Sequence, residues 1–433
     1  MHSAIPRQDA HGDMHAASGA CAVAAWPRRA NPGVSRPGPR TCSRQGRSTR
    51  CSRRLEAASA SLNLADLEPP PIDGDLRSLF DEAGAEWSEE LGTAVSFGDD
   101  EAALEALADG VLVFDRTPAS RVRVSGPDRL RFLHALCSAS VAALSPGAGT
   151  PCALLTPTGR CVDAFTLLAL DGSCLLLLSP GAGDAVTAVL DHHLFPADKV
   201  AVADISQQTA CFALMGARLG DVLERMGAPA DLGDRAVGTH VLVGFQGQPV
   251  VVAADCGLAS RGVTLVADES VAGALWAALT GPCGALPAGT AVWERLRVAE
   301  GVPARGFEVS EDSNPLEAGL LHCVSTAKGC YLGQEVIARL TARDGPKQTL
   351  WGLRLAPDTP CAPGDDIVDG STGAALGRVT SACPEDGTAL AFIKRAAAGN
   401  VASLDGAAVL VGQRRAPGVL QRTAYQQRHS ASE

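Results

Sequence analysis

One short segment combines residue types that could do chemistry. Residues 328–339 read KGCYLGQEVIAR, and the thiol of Cys330 lies two residues after the ammonium of Lys328. The apolar spacing that follows predicts a helix beginning close to the cysteine. A thiol near a cation and a helix N-terminus has a lowered pKa and more thiolate, so a reactive cysteine is one interpretation. The alternative is that Cys330 is an exposed cysteine in an ordinary loop.

The neighbouring residues indicate how this thiol would be held. Gly329 is expected to allow a sharp turn before the cysteine, because glycine adopts backbone conformations that other residues resist. Gly333 then precedes the helix. Gln334 and Glu335 fall in its first turn, where acceptors suit the free backbone amides. The segment therefore predicts a turn, an accessible thiol and a helix.

The fourteen cysteines of the chain do not form a disulfide framework. They are scattered, mostly within apolar strand-like segments, and no Cys-x-x-Cys pair occurs. This pattern is typical of reduced, buried thiols and favours the cytosol, the plastid stroma or the mitochondrial matrix over secretion. His322 and Cys323 are the only cluster of metal-ligand types near the cysteine segment. Packing is the favoured interpretation for Cys323, and no metal site is expected.

Charge divides the 433 residues into a basic leader and an acidic body. Residues 1–54 contain ten arginines, two aspartates and no glutamate, so the net charge of −11 leaves about −19 for the rest. An acidic body argues against nucleic-acid binding, and the lack of a long apolar run argues against a membrane protein. Residues 1–55 have the composition of an organelle transit peptide, and a disordered basic tail with another use is the alternative.

The elements that must position the cysteine segment follow from apolar periodicity. Residues 56–110 indicate an acidic, helical lead-in, and residues 111–345 alternate strands and helices as α+β proteins do. Two apolar runs around the Asp-Gly pair at 171–172 predict a β-hairpin. Short strands separated by Pro, Gly and Asp predict a β-barrel over residues 346–415, followed by a polar tail at 416–433. Further helices and strands are expected at 183–195, 199–205, 209–215, 217–226 and 291–300.

The KGCYLGQE segment resembles the signature of the YgfZ/GcvT-like folate-binding family, relatives of the glycine-cleavage aminomethyltransferase, or T-protein. Four other segments are similar to that family and follow its order, at residues 121–134, 154–168, 291–320 and 347–355. The resemblance implies two α+β domains and a C-terminal β-barrel in a ring around a folate pocket. It also implies a catalytic pair, Cys330 and Lys328. The rest of the motif consists of Gly329, Tyr331, Gly333, Gln334 and Glu335.

The resemblance further implies a function. The protein would bind tetrahydrofolate or a derivative and assist iron–sulfur cluster assembly or repair. Its partners would be iron–sulfur assembly proteins or client enzymes. Residues 341–353 are most similar to plastid members, so the chloroplast is the expected location and the mitochondrial matrix the alternative. Asp163 would contact a folate nitrogen and Arg160 a folate carboxylate. A strand-end aspartate and a surface arginine are the alternatives for these two residues.

Several positions depart from the transferase relatives. Residues 292–294 are Val-Trp-Glu where T-proteins have Ala-Arg-Asp. Residues 256–259 are Cys-Gly-Leu-Ala where they have Gly-Glu-Asp-Gly, so the expected pterin-anchoring acid is missing. Asp163 is followed by Ala164 instead of a second aspartate, and polar residues are lost at 134–138. These losses argue against aminomethyl transfer, which stays as one alternative function; a catalytically inactive folate-binding scaffold is the other.

Overall fold

The structure is a computed structural model that describes residues 76–89, 92–395 and 404–430, without the side chains of residues 343, 344 and 430. The expected transit peptide at 1–55 and the following twenty residues of the expected lead-in lie outside the described residues. The helices that are described include none with both the length and the apolar character needed to cross a membrane.

The described chain begins with short helices and strands that pack into the core. They are α1 (Leu76–Glu82), β1 (Glu86–Trp87), β2 (Ala94–Ser96) and α2 (Asp100–Ala106). The side chain of Asp99 accepts a hydrogen bond from the backbone N–H of Ala102 at 2.9 Å and so caps α2. Phe80 is buried with its ring centroid 4.5 Å from that of Trp276. The acidic lead-in is therefore anchored to the core at its apolar positions.

A five-stranded antiparallel sheet with two helices forms the first α+β unit. Its elements are β4 (Ala119–Ser125), α3 (Arg129–Leu136), β5 (Gly149–Leu155), β6 (Cys161–Ala169), β7 (Ser173–Pro180), α4 (Gly183–His192) and β8 (Ala201–Asp204). The strand order is β5-β6-β7-β4-β8. The hairpin predicted at 171–172 joins β6 to β7, with Gly172 at φ +75° and Thr166 opposite Leu177. An Asp-Gly pair between two apolar runs is enough to specify this connection, since the turn requires a left-handed backbone.

The second unit is a six-stranded sheet in the order β10-β11-β12-β9-β3-β13. Its elements are β3 (Leu112–Asp115), β9 (Thr209–Met215), α5 (Leu219–Arg225), β10 (His240–Phe245), β11 (Gln248–Ala254), β12 (Gly262–Asp268), α6 (Glu269–Thr280), β13 (Leu286–Ala288) and α7 (Thr290–Glu300). Strand β3 precedes the first unit in the chain, so the chain leaves this sheet after β3 and returns to it at β9. The two units are therefore connected twice, from β3 to β4 and from β8 to β9.

One buried arginine holds that junction together. The side chain of Arg121 is fully buried, and its guanidinium donates to the carbonyl oxygens of Thr117, Ala119, Ser206 and Thr209 at 2.5–3.0 Å. It also donates to the hydroxyl of Thr209 at 2.7 Å. Every one of these partners is a neutral oxygen, at the start of a strand or in a connection between strands, so the cation is satisfied without a carboxylate.

The C-terminal part is a closed six-stranded β-barrel followed by a helix. Its elements are α8 (Gln334–Arg339), a π-helical turn (Leu340–Asp344), β14 (Gln348–Leu355), β15 (Asp366–Asp369), β16 (Ala375–Cys383), β17 (Thr388–Lys394), β18 (Ala408–Val411), β19 (Ala416–Gln421) and α9 (Ala424–Ser430). The strand order is β14-β17-β16-β15-β18-β19. The α+β class with a C-terminal barrel, expected from the sequence, is confirmed.

The segment expected to be a polar tail from residue 416 is instead structured. Strand β19 pairs with both β14 and β18, so it closes the barrel and satisfies the backbone of two edges that would otherwise be exposed. Its alternation buries Leu420 and leaves Val419 42% exposed. A strand with so few apolar residues has little periodic signal, which is why the sequence pattern ended the barrel at 415.

Candidate functional site

Cys330 lies in the loop between a 3-10 turn (Leu321–Cys323) and α8. Of the eleven cysteines in the described ranges, ten are buried and Cys330 alone is exposed. Its neighbour Tyr331 is 8% exposed and packs into a cluster that includes Cys323 and Ile337. The loop therefore buries the tyrosine beside the cysteine and leaves the thiol open to solvent.

Lys328 fixes this loop to the first α+β unit. Its ammonium donates to the carbonyl oxygens of His134, Cys137 and Ala139 at 2.6, 2.7 and 2.8 Å, around the C-terminal end of α3. A cation at a helix C-terminus satisfies carbonyls that have no partner within the helix. Burial lowers the pKa of Lys328. All three N–H groups are used in this way, so Lys328 anchors the loop, and a catalytic role for it stays a prediction.

The position of the motif that requires a glycine is Gly333, after the cysteine. Gly333 has φ +78°, and a Cβ at this position would approach the carbonyl oxygen of Thr156 to 2.6 Å. Gly329 lies outside the left-handed region and has open space where a Cβ would be, so the expectation that the turn before Cys330 needs the conformational freedom of glycine at 329 is wrong. Helix α8 begins at Gln334, four residues after the thiol, with exposed Glu335 in its first turn.

Arg160 lies beside the same loop, on the other side of the Thr156–Gly159 turn. Its guanidinium donates to the carbonyl oxygen of Asp312 at 2.9 Å and lies 3.5 Å from the carboxylate of Glu317. The side chain is 39% exposed, and it is not among the residues that line the central cavity described below. Arg160 therefore connects the turn to the segment after α7, and its expected contact with a folate carboxylate stays a prediction.

Asp163 is completely buried on β6. One carboxylate oxygen accepts a hydrogen bond from the backbone N–H of Ser179 at 2.9 Å, and the other has no partner in the described part of the chain. Burial raises the pKa of Asp163 to about 6, against the opposing effects of that hydrogen bond and of the positive charge of Arg305. Ala164 and Ser179 line the cavity and Asp163 does not, so its carboxyl group lies behind the cavity lining.

A central cavity of about 230 Å³ lies between the two sheets. One wall is formed by β5, β6 and β7, and the opposite wall by β9, β11 and β12. Residues 302–305 and 320–323 close one side, and α9 contributes side chains from the C-terminus. The described barrel strands do not line the cavity, and the barrel contributes to it only through α9, which follows the last barrel strand.

The cavity contains an acid that sequence reasoning missed. Asp255 follows β11 with φ +97°, and burial raises its pKa to about 6. The guanidinium of Arg428 lies 3.9 Å from this carboxylate and donates to the carbonyl oxygens of Leu258 and Ala259. The sequence comparison indicated that residues 256–259 had lost an acid. The acid of this region is Asp255, one residue earlier, and Gly257, two residues after it in a turn, is the local signal for it.

Two histidines and a tyrosine form an aromatic cluster at the cavity. The rings of His322 and His429 stack at 3.7 Å, and Tyr425 Oη lies 3.1 Å from Nε2 of His322. Burial lowers the pKa of His322 to about 3 and that of His429 to about 4, so both imidazoles are neutral near pH 7. Tyr425 and His429 belong to α9, within the segment predicted to be a polar tail, and no sequence pattern indicated their position.

These groups determine what the cavity presents to a ligand. The described residues contain no group of three or more His, Cys, Asp or Glu side chains that could hold a metal. The cavity is lined by aromatic rings, by the half-buried carboxyl of Asp255 and by a cation that the sequence did not indicate, Arg116. Such a site fits a planar heterocycle with amide and amine donors. The exposed thiol of Cys330 lies outside the cavity lining.

The fold and this cavity define a class of protein in which two α+β units surround a cavity and a β-barrel follows them. The crystal structure of the glycine cleavage system aminomethyltransferase T from Bartonella henselae superposes with a TM-score of 0.69 over 82% of this chain and 97% of that chain, at 21% identity. A model of the GCVT N-terminal domain family matches residues 81–328. The chain belongs to the GCVT N-terminal domain family.

Two relatives are similar to this chain over more than half of its length. A putative chloroplastic transferase of Arabidopsis thaliana is 38% identical over 328 residues, which cover 76% of this chain and 74% of that protein. An aminomethyltransferase of a Parafrankia species is 29% identical over 282 residues, which cover 64% of this chain and 75% of that protein.

Proposed function

We propose that the chain binds a reduced folate, tetrahydrofolate or a derivative, in the central cavity. The pterin ring carries amide and amine N–H donors on a planar heterocycle. The half-buried carboxyl group of Asp255 lines the cavity and matches such donors, and the buried carboxyl group of Asp163, with one unpartnered oxygen, lies behind the lining residues Ala164 and Ser179. The neutral stack of His322 and His429 provides a flat aromatic wall. When bound, tetrahydrofolate would supply ring nitrogens that carry a one-carbon unit. Calorimetric titration tests this proposal, and no heat at saturating ligand contradicts it.

We further propose that the protein supports iron–sulfur cluster assembly or repair through Cys330. The observation that carries this proposal is the exposure of this one thiol, on a loop held by the Lys328 ammonium, while ten other described cysteines are buried. The resemblance of the motif to the YgfZ/GcvT-like family supplies the class of client. An accessible thiol has two roles open to it, nucleophile in thiol exchange or transient soft ligand to iron.

Substitution of Cys330 tests the thiol directly. Iron–sulfur enzyme activities would be measured in a strain depleted of the protein and complemented with the wild type, Cys330→Ser or Cys330→Ala. Both variants are expected to fail. The matched control is Gly329→Ala, which changes the adjacent exposed position where a Cβ meets nothing within 4 Å. Full rescue by Cys330→Ser would refute the thiol-centred function and would leave the folate-binding scaffold as the better account.

Aminomethyl transfer is a second candidate function. The fold likeness extends over 97% of the glycine-cleavage transferase chain, and the buried carboxyl of Asp163 lies directly behind the cavity lining. The test is transfer of the aminomethyl group from the lipoyl carrier protein to tetrahydrofolate by the purified chain. Methylene-tetrahydrofolate and ammonia formed in amounts that exceed the enzyme would favour this function. We expect none, because the second aspartate after Asp163 is an alanine.

We propose the plastid as the location. The putative transferase of Arabidopsis thaliana is described as chloroplastic, and the leader has the composition of a transit peptide. A fusion of residues 1–75 to a fluorescent protein tests this: plastid signal supports the proposal, and mitochondrial signal would select the alternative.

A further inference from the structure

The acid that lines the cavity has a backbone conformation that its residue type resists. Asp255 has φ +97°, which residues other than glycine adopt only at a cost in energy. Its backbone N–H donates to the carbonyl oxygen of Gly262 at 3.0 Å, and its carbonyl oxygen accepts from the hydroxyl of Thr264 at 2.8 Å. A strained residue persists only where the surrounding contacts fix it. The position of this carboxyl group therefore depends on how the turn that follows it is held.

Two charged side chains hold that turn from different elements. The carboxylate of Glu300, at the end of α7, accepts hydrogen bonds from the backbone N–H groups of Ala259 at 2.6 Å and Ser260 at 3.2 Å. The guanidinium of Arg428, on α9, donates to the carbonyl oxygens of Leu258 at 3.0 Å and Ala259 at 2.9 Å. An anion thus binds the N–H groups of the turn, and a cation binds its C=O groups.

The same guanidinium acts on the carboxylate of Asp255 by its charge. Nη1 of Arg428 lies 3.9 Å from Oδ1 of Asp255, which is within ion-pair distance and beyond hydrogen-bond length. Burial raises the pKa of Asp255 to about 6; the positive charge of Arg428 opposes this rise, and the negative charge of Glu300 adds to it. Arg428 therefore favours the charged form of the acid without taking the place of a ligand's N–H donor.

The other titratable groups at the cavity do not change charge near neutral pH. Burial keeps six of the lining side chains in their uncharged forms near pH 7: Cys211, Cys256, His322, Cys323, Tyr425 and His429. Three other lining side chains are cations that no substitution below changes: Arg116, Arg297 and Arg305. Asp163, behind the lining, is likewise common to the wild type and every variant. A change in the titration of Asp255 after replacement of Arg428 therefore reports the charge of Arg428.

We infer that Arg428 is a positioning residue, which fixes the turn after Asp255 and holds this carboxylate in the charged form that accepts the ligand's N–H donors. A charged acceptor forms stronger hydrogen bonds than a neutral one. With the proposed reduced folate as ligand, on which the identity of the donors rests, the donors are the amide and amine N–H groups of the pterin. Helix α9 thus serves pterin binding through a charge as well as through the rings that it adds to the cavity.

The pH dependence of tetrahydropterin binding tests this role. The full chain and its Arg428→Gln and Arg428→Lys variants would be titrated calorimetrically at a series of pH values. Wild-type affinity is expected to fall below pH about 6, as Asp255 is protonated. In Arg428→Gln the midpoint of this fall should lie about one pH unit higher, so affinity should be about tenfold lower at acidic pH and within about threefold at alkaline pH. Arg428→Lys keeps the charge and the donors for the turn, so its midpoint should stay within about 0.3 pH unit of wild type.

Two control variants separate this role from a general loosening of α9. Gln426→Leu removes a hydrogen bond to the carbonyl oxygen of Leu350 at 2.8 Å without a change in charge. Arg422→Gln removes an exposed positive charge that precedes the same helix. Neither variant should move the midpoint.

The titration of Asp255 can also be measured without a ligand. Urea unfolding of the chain and its Asp255→Asn variant is compared across pH, with and without Arg428→Gln. Because the folded-state pKa is raised, Asp255 lowers the free energy of unfolding as pH rises, and this loss ends above the folded-state pKa. In Arg428→Gln the loss should end about one pH unit higher. If Arg428→Gln does not fold, Arg428→Lys still tests the role, since a midpoint shifted by a full pH unit despite the retained charge would overturn it.

The failures of this inference and of the folate proposal are distinguishable. An equal loss of affinity at every pH in Arg428→Gln, with an unchanged midpoint, would make the residue a structural clamp and overturn its action on the carboxylate. Tighter binding in Arg428→Gln would show that the guanidinium competes with the ligand, which also overturns the inference. An unmoved ligand-free titration in a chain that binds tetrahydropterin would reject the positioning role and leave the folate proposal standing. A shifted ligand-free titration in a chain that binds neither tetrahydropterin nor tetrahydrofolate would reject the folate proposal and keep Arg428 as the residue that positions the acid.

Discussion

Replacing Asp163 by asparagine should raise the free energy of unfolding at neutral pH and should raise it much less at acidic pH. Asp163 is completely buried, and burial raises its pKa from 3.8 to about 6. Between these values the folded chain binds more protons than the unfolded chain, so the free energy of unfolding falls as pH rises. The full effect of such a pKa rise is about 3 kcal/mol, and it is reached above the folded-state pKa.

The magnitude for the variant follows from the same geometry. The amide can still accept the hydrogen bond from Ser179, while its NH₂ group replaces an oxygen that has no partner. That unpaired group offsets part of the gain, so Asp163→Asn is expected to stabilise the chain by about 1–3 kcal/mol near pH 7.5. Near pH 4.5 most of this gain should disappear, and the effects at the two pH values should differ by about 2 kcal/mol.

Urea unfolding of wild type and variant at both pH values measures this difference directly. Comparing the two proteins at each pH cancels the titration of Asp255, which both contain. Asp171→Asn is the matched control, because Asp171 is exposed in the β6–β7 hairpin and Asn-Gly suits that turn equally well. If Asp163→Asn changed stability equally at both pH values, to within about 0.5 kcal/mol, the carboxyl would not be titrating as its burial requires.

Two further predictions concern how the cysteine loop is held. Gly333→Ala is expected to destabilise the chain by about 1–3 kcal/mol, because it combines φ +78° with a 2.6 Å approach of Cβ to the carbonyl oxygen of Thr156. Gly329→Ala should change the midpoint of thermal unfolding little, and equal effects of the two changes would contradict the geometry. Lys328→Met leaves three carbonyl oxygens without their donor, so a loss of about 2–4 kcal/mol and faster maleimide labelling of the loop thiol are expected. Lys199→Met, at an exposed lysine, is its control; wild-type labelling and stability in Lys328→Met would show that the ammonium is not an anchor.

Local pattern was sufficient for much of the fold because the information lies within short windows. The hairpin at 171–172 follows from two apolar runs and a turn pair, and the strand expected at 209–215 is β9 over the same residues. Helix 217–226 was predicted within two residues of α5 at each end. The barrel's last strand was missed since β19 is recognised by its two partner strands, not by its own composition.

The site was less predictable, because most of its residues come from distant parts of the chain and not from one short window. Cys330 was singled out from its neighbours in sequence, and its exposure agrees with an accessible thiol. Arg116, Asp255 and His322 carry no motif, and they become a site only because two sheets and α9 meet around one cavity. Lys328 was read as a partner of the nearby thiol, although its ammonium is bound by carbonyl groups from another unit.

The sequence by itself determined the α+β class with its C-terminal barrel, most of the regular elements and the cysteine segment as the first place to look for chemistry. Spacing, turn residues and an ordered set of similar segments specify these properties, and all are read along the chain. Only the tertiary structure decided that Lys328 binds carbonyls 189–194 residues earlier and that Tyr425 meets His322 across 103 residues. Such contacts leave no local pattern, because which distant side chains share a cavity depends on how the sheets and the last helix pack.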